Sequence, residues 1–170
     1  MDIATVMPSD AGEHRPAADA PCAELIPLLS ASRLTGTPAA MAGATLSVDA
    51  GPDGLWVGTE VLRTYADAGA RRAMSDLRTF LGRCPTVASS GRVGGSYRFT
   101  VSAGPPLGDE SLRVGCTMTS GTGILRCDSI LVRIGTDLVV VQEQGNTPGD
   151  GRYLIQLTEA ALRRYQATGS

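Results

Sequence analysis

Two of the four cysteines flank a glycine-rich turn at a spacing that suits a cross-strand disulfide. The segment SGTG separates two runs rich in β-branched and apolar residues, a pattern that predicts a β-hairpin. If residues 121–122 form the turn, antiparallel pairing sets Cys116 directly opposite Cys127. We therefore expect a disulfide between these two residues, which leaves Cys22 and Cys84 to form a second one.

Other chemistry for the cysteines has less support from their spacing. Four buried free thiols, acting as small apolar residues, remain the alternative to two disulfides. A zinc site of four thiolates requires two close pairs, and a redox-active pair is typically C-x-x-C; the sequence has neither. Because structural disulfides persist in oxidising compartments, two of them predict an extracytoplasmic location, whereas reduced cysteines would indicate the cytoplasm.

Motifs for catalysis, cofactors or metals are missing from the sequence. His14 is the only histidine, so we expect no Ser-His-Asp or Cys-His arrangement. All fifteen basic residues are arginine, which excludes chemistry that depends on lysine. The glycine-rich segments match no dinucleotide-binding or phosphate-binding motif. We therefore predict no catalytic residue, no metal and no cofactor.

Charge and hydropathy narrow the range of partners. A net charge of −2 gives no electrostatic reason to expect nucleic acid. The longest apolar runs are too short to span a membrane, and residues 1–20 do not resemble a signal peptide. We expect either that a secretion signal or a lipid anchor was removed ahead of this sequence, or that the protein is cytoplasmic.

The predicted hairpin places polar side chains on an otherwise apolar face of the sheet. Its register pairs Glu110 with Arg133, and a second turn at Gly135–Thr136 sets Ser129 opposite Gln142. Such groups are either paired residues that fix the register or the polar contacts of a ligand cleft. On the second interpretation these four residues bind a small, partly apolar ligand. The apolar residues of the same face are Leu112, Val114, Met118, Leu125, Leu131, Leu138 and Val140.

The order of elements predicts an α+β fold. Residues 1–20 are typical of a flexible segment, and residues 21–168 of a single domain. Consecutive strands with helices between them favour a twisted antiparallel sheet packed with helices, in the order α-β2-α-β4-α, with two disulfides and a cleft. The predicted elements are a helix from Cys22, strands at 45–50 and 55–62, a helix over 70–81, a strand around 97–101, strands at 110–119, 124–134 and 137–143, and a helix over 152–166.

Several segments, taken in order, carry a family resemblance. They are C-x2-L-x2-LL near the start, LRTFLGRC at the end of a helix, GDES, DSILVRIGTDLVVV and a closing helix. From Cys22 to Gln166 this order resembles the PknH-like extracellular sensor domain, which occurs in actinobacterial receptor Ser/Thr kinases and in secreted proteins and lipoproteins. The resemblance implies a twisted antiparallel sheet and helices that enclose a cleft. It also implies two disulfides, formed by Cys22, Cys84, Cys116 and Cys127.

The family's role is non-enzymatic binding of an extracellular ligand. The sequence holds neither a kinase domain nor a transmembrane helix, so only the binding function carries over. We therefore expect an extracytoplasmic, sensor-like domain of a secreted protein or lipoprotein. The alternative is a cofactor-independent cyclase of actinobacterial natural-product biosynthesis, because catalysis by positioning alone leaves no sequence motif.

Overall fold

One antiparallel sheet dominates the architecture of the protein. The computed structural model describes residues 5–6, 21–25, 35–51, 54–88, 94–121, 123–146 and 152–168. Its strands are β1 (Thr5–Val6), β2 (Ala40–Gly51), β3 (Gly54–Thr64), β4 (Thr86–Ala88), β5 (Ser96–Ala103), β6 (Glu110–Ser120), β7 (Gly123–Ile134) and β8 (Asp137–Gly145). They form an eight-stranded sheet in the order β1-β2-β3-β8-β7-β6-β5-β4. Within the described residues two α-helices accompany it, α1 (Gly69–Arg83) and α2 (Arg152–Thr168).

The two helices cover opposite faces of this sheet. Successive side chains of a strand point to opposite faces, so each strand contributes to two separate cores. On the α1 face, Phe99, Leu112, Leu131 and Leu138 pack with the apolar side of α1. On the α2 face, Ile130, Val132, Val139 and Val141 pack with Leu154, Ala161 and Leu162 of α2.

Helix α1 forms where apolar side chains recur at helical spacing. Ala70, Met74, Leu77 and Leu81 are buried on its inner side, and Pro85 follows its C-terminal end. Cys84 lies directly after the helix, is 1% exposed and forms a disulfide with Cys22. The predicted Cys22–Cys84 bridge is therefore confirmed, and it ties the segment before the sheet to the end of α1.

The predicted order α-β2-α-β4-α is wrong. Five strands follow α1 instead of four, because Thr86–Ala88 forms β4, and Thr5–Val6 forms an additional strand ahead of β2. Both strands lie at the edges of the sheet and have two or three residues, too few to show an alternating pattern. Cys22–Glu24 forms a 3-10 turn, and residues 26–34 of the predicted first helix lie outside the described residues.

The prediction of two disulfides is also wrong, because Cys116 and Cys127 are free thiols. The register from which that bridge was predicted is present, since Cys116 pairs with Cys127 and Glu110 with Arg133. Register sets two Cα atoms opposite each other, but a disulfide also requires a close approach of the Cβ atoms and a specific torsion about the S–S bond. Here the two thiols are joined by a hydrogen bond instead.

Two further predictions concern the N-terminal segment and membrane-spanning helices. Most of the predicted flexible segment, residues 1–20, lies outside the described residues; its Thr5–Val6 pairs with Ala42 and Gly43 of β2. In the described part of the chain, no helix is both long enough and apolar enough to cross a membrane.

Candidate ligand-binding site

A cavity of about 350 Å³ lies between α1 and the α1 face of the sheet. This volume falls within the range of sites that bind small molecules. Most of its wall is apolar: Leu77 and Leu81 come from α1, and Phe99, Val114, Leu131 and Val140 come from the sheet.

Strand register brings a row of polar side chains to the floor of this cavity. Ser129 of β7 lies opposite Gln142 of β8, as the turn at Gly135–Thr136 predicted, and both residues line the cavity. The next pair of the same face along these strands is Cys127 with Gln144, and both of these also line the cavity. Two of the four predicted ligand-binding residues therefore lie together at one site.

The other two predicted residues, Glu110 and Arg133, form ion pairs away from the cavity-lining residues. Arg133 Nη1 lies 2.9 Å from Asp109 Oδ2, and its Nε lies 3.6 Å from Glu110 Oε2. Glu110 Oε1 lies 2.7 Å from Nη2 of Arg78, which belongs to α1. This network joins α1 to the β6–β7 pair. These ion pairs do not test the predicted contact of Glu110 and Arg133 with a ligand, and neither residue is among those that line the cavity.

Arg63 is a cavity residue that the sequence reasoning missed. It lies on β3 opposite Leu138, lines the cavity and is only 7% exposed. Its Nη1 donates a hydrogen bond to Oγ1 of Thr35, while its Nε has no hydrogen-bond partner in the part of the chain that the structure describes. The predicted strand ended at Leu62, two residues before the observed end of β3 at Thr64. Side chains two residues apart on a strand share a face, so extending the strand past Val61 would have placed Arg63 on the apolar face.

Thr35 is held in place at the cavity wall by a second contact. The hydroxyl of Tyr65 donates a hydrogen bond to the backbone oxygen of Thr35, at 2.9 Å. Thr35, Tyr65 and Arg63 are all buried. The guanidinium is therefore packed among buried groups, and one neutral hydroxyl is the partner that the structure shows for it.

The free thiols of Cys116 and Cys127 also face the cavity and share a hydrogen bond. That hydrogen bond lowers the pKa of Cys127 and raises the pKa of Cys116, because the thiol of Cys116 donates to the sulfur of Cys127. Burial raises the pKa of both thiols, so it opposes the lowering at Cys127 and adds to the rise at Cys116. Cys127 is therefore the first of the pair to lose its proton.

The described wall of the cavity presents a limited set of functional groups. It contains no aspartate, glutamate or histidine, so it presents neither a carboxylate nor an imidazole as a base. Within the described ranges, no three residues of the types His, Cys, Asp or Glu come together as a metal site. The chemistry that the wall does offer is apolar surface, amide and hydroxyl groups, two thiols and one guanidinium.

Comparison with known proteins leaves the family open. No protein-family model matches the chain, and no curated protein is detectably similar to it. The resemblance to PknH-like sensor domains therefore stays a prediction.

Proposed function

We propose that this protein is a non-enzymatic binding domain that holds a small, largely apolar molecule in the cavity beneath α1. The observation that carries the proposal is the composition of the cavity wall, in which apolar side chains from α1 and the sheet surround a short row of polar groups. This composition is typical of small-molecule sites, where a few polar groups orient a ligand that is bound mainly by apolar contact. Ser129 and Gln142 supply such contacts.

A location outside the cytoplasm is part of the same proposal. The Cys22–Cys84 disulfide supports it, because structural disulfides are typical of oxidising compartments. A secreted or lipid-anchored protein with a ligand cavity and no catalytic base on the described wall is suited to a sensor-like role. The enzymatic alternative, a cofactor-independent cyclase, gains no support from that wall.

The proposal is tested by filling the cavity and measuring the binding of a neutral apolar probe, N-phenyl-1-naphthylamine. Leu125 lines the cavity, whereas its neighbour Ile124 lies on the other face of β7 and is 52% exposed. Leu125→Trp should occupy part of the cavity and weaken probe binding about tenfold or more, a loss of about 1.4 kcal/mol. Ile124→Trp, the matched control, should bind the probe as the wild type does.

Fluorescence titration of the probe measures both variants. Circular dichroism shows whether each variant retains the fold. Equal probe affinity in the folded Leu125→Trp variant and the wild type would contradict the proposal, as would the absence of saturable binding in the wild type. Turnover of a polyene substrate by the purified protein would contradict its non-enzymatic part.

A further inference from the structure

The position of Arg63 at the cavity bears on the charge of the ligand. A guanidinium stays protonated at any physiological pH, so the cost of burying its charge cannot be avoided by loss of a proton. Arg63 is 93% buried, being 7% exposed, and it lines the cavity. A charge in such a place is normally paired with an opposite charge.

Among the described residues, no carboxylate pairs with Arg63. Within the described ranges its one hydrogen-bond partner is the hydroxyl of Thr35, and its Nε has none there. A hydroxyl accepts a hydrogen bond but does not neutralise the charge. The guanidinium has five N–H donors, so most of its capacity for hydrogen bonds remains unused by these contacts.

The acidic residues of β3 and β8 lie on the opposite face of the sheet. Glu60 of β3 accepts a hydrogen bond from Arg164 of α2, and Glu143 of β8 accepts one from the indole nitrogen of Trp56, at 3.3 Å. Asp137 of β8 accepts a hydrogen bond from the hydroxyl of Tyr165, at 2.5 Å. The strands beside Arg63 thus supply carboxylates to the α2 face but none of these to the cavity.

We propose that the ligand of the cavity is an amphipathic organic acid whose carboxylate pairs with the guanidinium of Arg63. The planar fork of N–H donors in arginine matches the two oxygens of a carboxylate, and such pairs form strong, directional hydrogen bonds. This inference deepens the proposed function and rests on it. The apolar body of the acid lies against Val140 and Leu131, the next cavity-lining residues on β8 and β7.

The direction of the ligand follows from the register. Arg63 lies opposite Leu138, and successive cavity-side residues along β8 are then Val140, Gln142 and Gln144. Gln144 lies six positions beyond Leu138 along the strand, a span of about 20 Å. The acid therefore binds with its carboxylate at the Leu138 end and extends towards the amide groups.

Calorimetric titration with octanoate and octanamide tests the inference, because the two probes share a chain and differ in charge. The wild type should bind octanoate at least about tenfold more tightly than octanamide. Arg63→Met removes the charge but keeps an unbranched apolar side chain, and it should abolish that preference, so that the two probes bind with affinities within about twofold of each other. Arg126→Met, at an exposed position of β7 outside the cavity, should behave as the wild type does.

Each result separates this inference from the proposed function. Equal affinity of the wild type for the two probes, or a preference for octanoate that survives in Arg63→Met, would overturn the inference. Binding of N-phenyl-1-naphthylamine without binding of octanoate would overturn the inference and leave the proposed function standing. Failure of all three probes would overturn both. If Arg63→Met does not fold, the wild-type comparison together with Arg63→Lys, which keeps the charge and should keep the preference, decides the question.

Discussion

Arg63 and Leu138 lie directly opposite each other across β3 and β8, so a permanent positive charge borders a completely buried leucine. On the same face, the next pair is Val61 with Val140. The wall therefore passes from a charged to an apolar side chain within two residues of strand. A ligand with one negatively charged end and one apolar end would complement this change from a charged to an apolar wall.

Loss of the disulfide should lower the stability of the whole domain. Cys22 and Cys84 are 62 residues apart, and for a loop of this length the chain-entropy model assigns the bridge about 4 kcal/mol. The double variant Cys22→Ala/Cys84→Ala should therefore lose about 4 kcal/mol in its free energy of unfolding, measured by urea denaturation. Cys116→Ala, which removes no bridge, is the control. An unchanged midpoint in the double variant would contradict the assignment.

Cys127 should be alkylated faster than Cys116 near neutral pH. The thiolate is the reactive form, and the hydrogen bond from Cys116 lowers the pKa of Cys127, so more thiolate is present at a given pH. Cys116→Ala removes the donor, which should raise that pKa and slow alkylation of Cys127 at pH 7. Peptide mapping by mass spectrometry after brief exposure to iodoacetamide measures both rates.

A matched variant controls this comparison. Cys127→Ala keeps Cys116, whose pKa is raised by the same hydrogen bond in the wild type, so Cys116 should become more reactive once its acceptor is gone. Unchanged rates in both single variants would mean that the two thiols do not interact.

Removal of Arg133 should affect stability without affecting the cavity. Arg133→Ala breaks the ion pairs with Asp109 and Glu110, which lie partly in solvent, so we expect a loss of about 1 kcal/mol in the free energy of unfolding. The affinity for N-phenyl-1-naphthylamine should stay within about twofold of the wild type. A tenfold loss of affinity in the folded variant would show that Arg133 contacts the ligand after all.

Local patterns made part of this fold predictable. The turns after β6 and β7 set their registers from neighbouring residues, so the pairs Cys116–Cys127 and Ser129–Gln142 followed from the sequence. Helix α1 was predictable because its apolar residues recur at helical spacing over its whole length. Both signals depend on residues that are close along the chain.

The parts that were missed depend on distant segments or on atomic distances. Strand β4 has three residues and exists because β5 offers it an edge, so its own sequence carries little signal. Whether Cys116 and Cys127 form a bridge depends on distances between their side chains, which register does not determine. Arg63 is a cavity residue because Thr35, 28 residues earlier in the chain, forms the wall beside it.

The most direct test of the central claim is a methyl NMR titration with N-phenyl-1-naphthylamine. The two faces of the sheet supply an internal control, because Leu131 and Val140 line the cavity while Val132, Val139 and Val141 of the same strands pack beneath α2. We predict that the methyl signals of Leu131 and Val140 shift in a saturable way and that those of the α2-face valines do not. Shifts confined to the α2 face, or no saturable shift at all, would contradict a ligand cavity beneath α1.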